Sequence, residues 1–130
     1  MQLFDPFPLH VRQAQEAAGS LPIVQRFTAE VGEARDFPRD CGCGDVVLLL
    51  GHLYHLIESS DRLTALNVSQ RLLRPGGVLV AAAISRFAWP FDAYRQQIAG
   101  DTTIQDSIAY SLRTGLSTHT PGPESVWAYF

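Results

Sequence analysis

The sequence predicts an α/β fold in which a mostly parallel sheet is flanked by helices. Two runs, 46–50 and 78–84, are uniformly apolar, which is typical of parallel strands covered on both faces. A helix-sized segment separates them, and strands that alternate with helices favour β/α units with right-handed crossovers. The 130 residues fit one compact domain.

The amino-terminal part predicts two strands around a helix. Residues 2–4 form a short apolar opening, and Asp5-Pro6 separates it from a helix expected over 9–18. Apolar and polar residues alternate over 25–31, which predicts a second strand.

The middle of the chain predicts two further strands. Residues 45–51 form the first, and a helix is expected to begin near Ser59 and to end at the Arg-Pro-Gly-Gly segment 74–77. Residues 78–84 form the second strand. We expect cofactor-side β/α units over 1–85.

The carboxyl-terminal part, 86–130, predicts helices and loops within the same domain. Trp89-Pro90 is expected to interrupt regular structure, with short helices over 92–99 and 104–112 and a Pro/Gly-rich loop over 118–124.

Composition argues against several function classes. A net charge of −3 and a pI near 5.7 give no global attraction for nucleic acid. The apolar runs are too short to cross a bilayer, and the amino terminus lacks a secretory signal, so we expect a cytoplasmic protein without a membrane span. Cys41-Gly42-Cys43 does not have zinc-site spacing, so no metal is expected.

Asp45 opens one apolar strand, and Leu73-Arg74-Pro75-Gly76-Gly77 introduces the next. That order resembles the second half of the class I S-adenosylmethionine-dependent methyltransferases, which have a Rossmann-like fold. The resemblance implies S-adenosylmethionine as cofactor and methyl transfer to a small-molecule acceptor. It covers almost the whole chain.

The resemblance also implies a set of site residues, although it identifies no catalytic one. Asp5 would accept hydrogen bonds from the cofactor ribose, and Glu33 would accept one from the adenine amino group, although a shorter Asp is common there. His52 and the backbone of Gly51 would flank the methionine part. The complete expected cofactor set is Asp5, Pro6, Glu33, Ala34, Gly51, His52 and Leu53, and the weaker substrate-pocket candidates are Tyr54, His55 and Arg86.

The glycine-rich loop of the family, Gly-x-Gly-x-Gly, does not occur in the sequence. In the family it follows a first strand that lies between the second and the fourth, so its absence predicts unpaired strand edges. We expect that the sheet closes up, that a partner strand completes it, or that the chain is truncated, in which case it is inactive as it stands. The chain is also expected to stop before the last hairpin strands of the family.

Two other readings are open. A degenerate, non-catalytic α/β module would bind or oligomerise through exposed sheet edges, with a homo-oligomer completing the sheet. A nicotinamide-dependent dehydrogenase would also use an acidic residue after its second strand, but it too needs a glycine-rich turn.

Overall fold

The computed structural model describes residues 1–37, 42–117 and 127–128. Its strands are β1 (Gln2–Asp5), β2 (Thr28–Val31), β3 (Gly44–Leu49), β4 (Leu73–Ala81), β5 (Leu116–Ser117) and β6 (Trp127–Ala128). Its helices are α1 (Pro8–Ser20), α2 (His52–His55), α3 (Ser59–Leu72), α4 (Ala88–Arg95) and α5 (Thr102–Thr114). Mixed α/β structure is confirmed, whereas Cys41 and the loop predicted over 118–124 lie outside the described residues.

The strands form pairs instead of one continuous sheet. β1 pairs with β2 and β3 pairs with β4, both in parallel, while β5 and β6 are antiparallel. Within the described ranges β1 is not hydrogen-bonded to β3. The expected unpaired edges are therefore present, and the alternative in which the sheet closes up is wrong.

α1 packs on the β1–β2 pair. Pro8 occupies its first turn, where the missing N–H costs no intrahelical bond. Val11 and Ala18 are buried on the helix, and Ala29 is buried on β2. The side chain of Gln15 donates from Nε2 to the Ala29 carbonyl oxygen at 2.8 Å, which fastens the helix to the strand.

α3 packs on one face of the β3–β4 pair. Leu49, Leu53 and Ala65 form the centre of this core and are at most 6% exposed. The partly buried residues packed around them are Ala34, Leu56, Leu66 and Leu79. Ala34 follows β2, so this cluster also joins the two strand pairs.

The other face of the β3–β4 pair is exposed. Val46 lies opposite Val78, and Leu48 lies opposite Val80. With Leu50 they form a surface, here called the open face, whose members are 44–57% exposed. The prediction that both faces of these strands are covered is therefore wrong for the described residues.

α4 begins earlier than the sequence predicts. Trp89 and Pro90 lie in its first turn instead of interrupting regular structure, because the first N–H groups of a helix have no intrahelical partner. Asp101 caps the start of α5, where its carboxylate accepts from the N–H of Thr103 at 2.8 Å, and Gly115 caps the end of the helix in the left-handed conformation. None of the helices described is long and apolar enough to cross a membrane.

Candidate functional site

Asp5 ends β1 and its carboxylate is already oriented by local contacts. Oδ1 accepts from the N–H of Phe7 at 2.8 Å, which turns the chain into α1. His10, in the first turns of α1, places Nδ1 3.2 Å from Oδ1 and 3.3 Å from Oδ2. Asp5 is partly exposed, so the carboxylate is both fixed and accessible. Pro6 is exposed directly beside it.

Glu33 follows β2 in a tight turn. The N–H of Asp36 donates to the Glu33 carbonyl oxygen at 3.2 Å, which closes the turn. Arg35 lies inside this turn and donates from both Nε and Nη2 to Glu33 Oε1. Its Nη1 donates to Asp61 Oδ2 at 2.6 Å, and these contacts raise the pKa of Arg35, the hydrogen bond with Glu33 contributing most.

Gly51 makes the sharp connection from β3 to α2. Its backbone φ of 103° is a conformation that residues other than glycine rarely adopt. A Cβ at this position would also lie 3.2 Å from the hydroxyl oxygen of Tyr54. The positive φ therefore favours glycine here, and a Cβ would also require the Tyr54 side chain to shift by a few tenths of an ångström.

His52 begins α2 and is partly buried. Burial lowers the pKa of His52 and His55 lowers it further, while the carboxylates of Asp5 and Glu33 act in the opposite direction. Its Nδ1 is buried and has no hydrogen-bond partner among the described residues. A neutral imidazole with an unused nitrogen can accept from, or donate to, a bound molecule.

The remaining predicted residues divide between core and surface. Leu53 is 6% exposed and its side chain belongs to the core, so only its backbone could face a ligand. Tyr54 and His55 directly follow His52, and their ring centroids lie 4.9 Å apart with the ring planes tilted by 50°. Arg86 donates from Nη1 to the Leu112 carbonyl oxygen at 3.3 Å and so ties the segment after β4 to α5. Its contact with an anionic acceptor stays a prediction.

The structure places three of the predicted residues at or just after the carboxyl ends of strands. Asp5 ends β1 and Glu33 follows β2, which is parallel to β1, while His52 follows β3. The carboxylates of Asp5 and Glu33 oppose the lowering of the His52 pKa through their charges. Open α/β folds bind ligands beyond the carboxyl ends of their strands. A groove of about 450 Å³ lies between α1 and β2 and is lined by Gly19, Arg26 and Thr28, among others. Because Thr28 is the first residue of β2, this groove lies at the amino end of the strand and not at the end that Glu33 follows.

Two residues contact predicted site residues without having been predicted themselves. His10 contacts Asp5 through Nδ1. Arg35 was not singled out, although its place two residues after Glu33, in a turn, is a usable signal. Among the described residues no group of three or more His, Cys, Asp or Glu side chains is arranged to hold a metal ion.

Comparisons with known proteins identify structural relatives only. No protein-family model matches the sequence, and a search of curated proteins finds no match. A SAM-dependent methyltransferase from Methanosarcina mazei superposes on 99% of this chain with a TM-score of 0.70 and 19% identity. The N-methyltransferase NodS from Bradyrhizobium japonicum WM9 superposes on 98% of it with a TM-score of 0.53 and 16% identity.

The chain spans 61% of the length of the Methanosarcina mazei structure and 70% of NodS. At these identities the likeness concerns the fold, and it agrees with the resemblance inferred from the Asp45 strand and the Pro-Gly-Gly turn. The expected fold class is confirmed: this chain has the fold of the class I S-adenosylmethionine-dependent methyltransferases.

Proposed function

We propose that this chain provides the adenosine-binding part of a methyltransferase site and supports methyl transfer from S-adenosylmethionine to a small-molecule acceptor. The proposal rests on the positions of Asp5, Glu33 and His52 at or just after the carboxyl ends of β1, β2 and β3, together with the electrostatic effect of both carboxylates on His52. The same fold in two methyltransferases supports it.

The residues present fit the cofactor chemically. The Asp5 carboxylate offers acceptor oxygens to the vicinal hydroxyls of a ribose, and Glu33 offers one to an exocyclic amino group. The unpartnered Nδ1 of His52 would gain a hydrogen bond, since a buried nitrogen without one is costly. Pro6, Ala34, Gly51 and the backbone of Leu53 would line the same site.

The sulfonium of the cofactor supplies a methyl group that is already activated. The task of the chain is therefore to bind and orient the two reactants. Tyr54 and His55 follow His52 and would face the acceptor, with Arg86 as a further candidate on that side. We assign no catalytic base.

Titration calorimetry with S-adenosylhomocysteine, the product form of the cofactor, tests the proposal. Asp5→Asn keeps an oxygen for the Phe7 N–H but removes the charge, and we expect binding to weaken about 10- to 100-fold, as befits a lost charge-assisted hydrogen bond. Asp45→Asn is the matched control, because Asp45 lies at the opposite end of β3 in an exposed pair with Arg74.

An unchanged affinity in Asp5→Asn would remove Asp5 from the site. A folded wild-type chain that binds no S-adenosylhomocysteine would contradict cofactor binding by this chain.

A second candidate function is a non-catalytic binding or oligomerisation module. The open face supports it, together with an edge of β3 that is unpaired among the described residues, because exposed aliphatic surface next to a free strand edge favours association. Sedimentation velocity over a concentration series tests it. Dimers that are lost in Leu48→Glu, in a chain that does not bind S-adenosylhomocysteine, would favour this function over methyl transfer.

A further inference from the structure

Arg35 connects acidic side chains from two separate parts of the fold. Glu33 follows β2, whereas Asp61 lies in the first turn of α3. Arg35 Nε lies 2.9 Å from Glu33 Oε1, and Nη1 lies 2.6 Å from Asp61 Oδ2. One guanidinium therefore fixes the turn after β2 against the helix that covers the β3–β4 pair.

The turn itself is anchored, so these contacts hold a defined geometry. Ala34 packs against the cluster of Leu49, Leu53 and Ala65. The bond from the Asp36 N–H to the Glu33 carbonyl oxygen closes the turn. The turn therefore fixes the backbone of Arg35, and the carboxylates of Glu33 and Asp61 hold its guanidinium group.

The guanidinium uses one oxygen of Glu33 and leaves the other available. Both Nε and Nη2 donate to Oε1, and no described residue donates to Oε2. A carboxylate oxygen accepts hydrogen bonds and cannot donate when ionised. An oriented Oε2 would therefore accept from an amino group and repel a carbonyl oxygen.

We propose that Arg35 is a positioning residue that orients Glu33 to recognise the 6-amino group of adenine, and thereby sets selectivity for adenosyl over inosyl ligands. This inference rests on the proposed function. A site built to pair with one polar group rejects an analogue that presents the opposite hydrogen-bonding character. Arg35 acts through Glu33 and need not touch the ligand.

The test compares S-adenosylhomocysteine with S-inosylhomocysteine by titration calorimetry on the full chain. The wild type should bind the adenosyl ligand at least about tenfold more tightly, which corresponds to one well-placed hydrogen bond. In Arg35→Met the ratio of the two affinities should fall towards one. In Arg35→Lys it should be intermediate, because a lysine keeps the charge but not the planar fork.

Two further variants separate positioning from simple support of the fold. In Glu33→Ala the ratio should also fall towards one, and adding Arg35→Met to it should cause no further change in the ratio. Asp61→Asn weakens the anchor of Arg35 on α3 but leaves its bonds to Glu33, so the ratio should fall only partly. Circular dichroism and thermal unfolding show which variants fold. If Arg35→Met does not fold, the affinity ratios of Arg35→Lys, Glu33→Ala and Asp61→Asn decide the question.

The outcomes distinguish the inference from the proposed function. Arg35 variants that weaken both ligands equally, with the ratio unchanged, would overturn the positioning role while leaving cofactor binding intact. A wild type that binds both ligands equally would overturn the role of Glu33 and with it that of Arg35. A wild type that binds neither ligand would refute the proposed function itself.

Discussion

Leu48 and Leu49 are neighbours on β3 whose side chains lie on opposite faces of the strand. Leu49 is 4% exposed and packs under α3, whereas Leu48 is 57% exposed on the open face. Leu49→Ala should lower the free energy of unfolding by about 2–5 kcal/mol, the usual range for a buried leucine. Only about two-fifths of Leu48 is buried, so Leu48→Ala should cost about 1 kcal/mol or less.

Urea unfolding followed by circular dichroism, at two protein concentrations about 50-fold apart, measures both costs. We expect Leu49→Ala to be the more destabilising by more than 1 kcal/mol at either concentration. Equal costs for the two variants would refute the exposure of the open face in solution. If Leu48→Ala destabilises the protein more at the higher protein concentration, a second copy of the chain covers the open face in solution.

Three further predictions each concern a single feature of the fold. Gly51→Ala should destabilise by about 1–3 kcal/mol, because of its positive φ and the nearby Tyr54 hydroxyl, while Gly100→Ala, with open space around it, should be nearly neutral by thermal unfolding. The pKa of His52 is lower in the folded chain than its ordinary value of 6.5, so near and below pH 6.5 the unfolded chain binds more protons at this residue than the folded chain does. The free energy of unfolding should therefore decrease as the pH falls from about 6.5 to about 5.5. That slope should be smaller in His52→Asn, and an equal slope would exclude His52 as its source. Asp101→Ala should cost about 1 kcal/mol in urea unfolding, and Asp101→Asn, which still caps α5, should cost clearly less.

The strands and helices were largely predictable because their signals are local. The uniform apolar run of β3 and the polar start of α3 at Ser59 carry their own structural preference. The break expected at Trp89-Pro90 does not occur, because a proline interrupts a helix only beyond the first turn and the sequence does not define where α4 begins. The open face was not predictable, since apolar composition reports a preference for burial and not whether a neighbouring element is present.

The sequence predicts the positions of candidate site residues more readily than their contacts. Asp5, Glu33 and His52 each lie at or just after the end of a strand, and their role in binding stays a prediction. The bonds from Arg35 and His10 depend on how a turn and a helix start direct side chains in space. Such directions follow from backbone angles that residue types constrain only weakly.

The shape of the Pro-Gly-Gly segment has a cause that lies elsewhere in the chain. The segment lies within β4, at an irregularity in the pairing with β3: Leu73 lies opposite Gly44, and Val78 lies opposite Val46. A Cβ at Gly77 would lie 2.8 Å from the carbonyl oxygen of Gly44. Gly77 is thus required by a strand that begins more than thirty residues earlier, and the most recognisable motif of the sequence records how two strands fit together. It is evidence for an architecture, and proteins that have lost or never had the chemistry would retain it equally well.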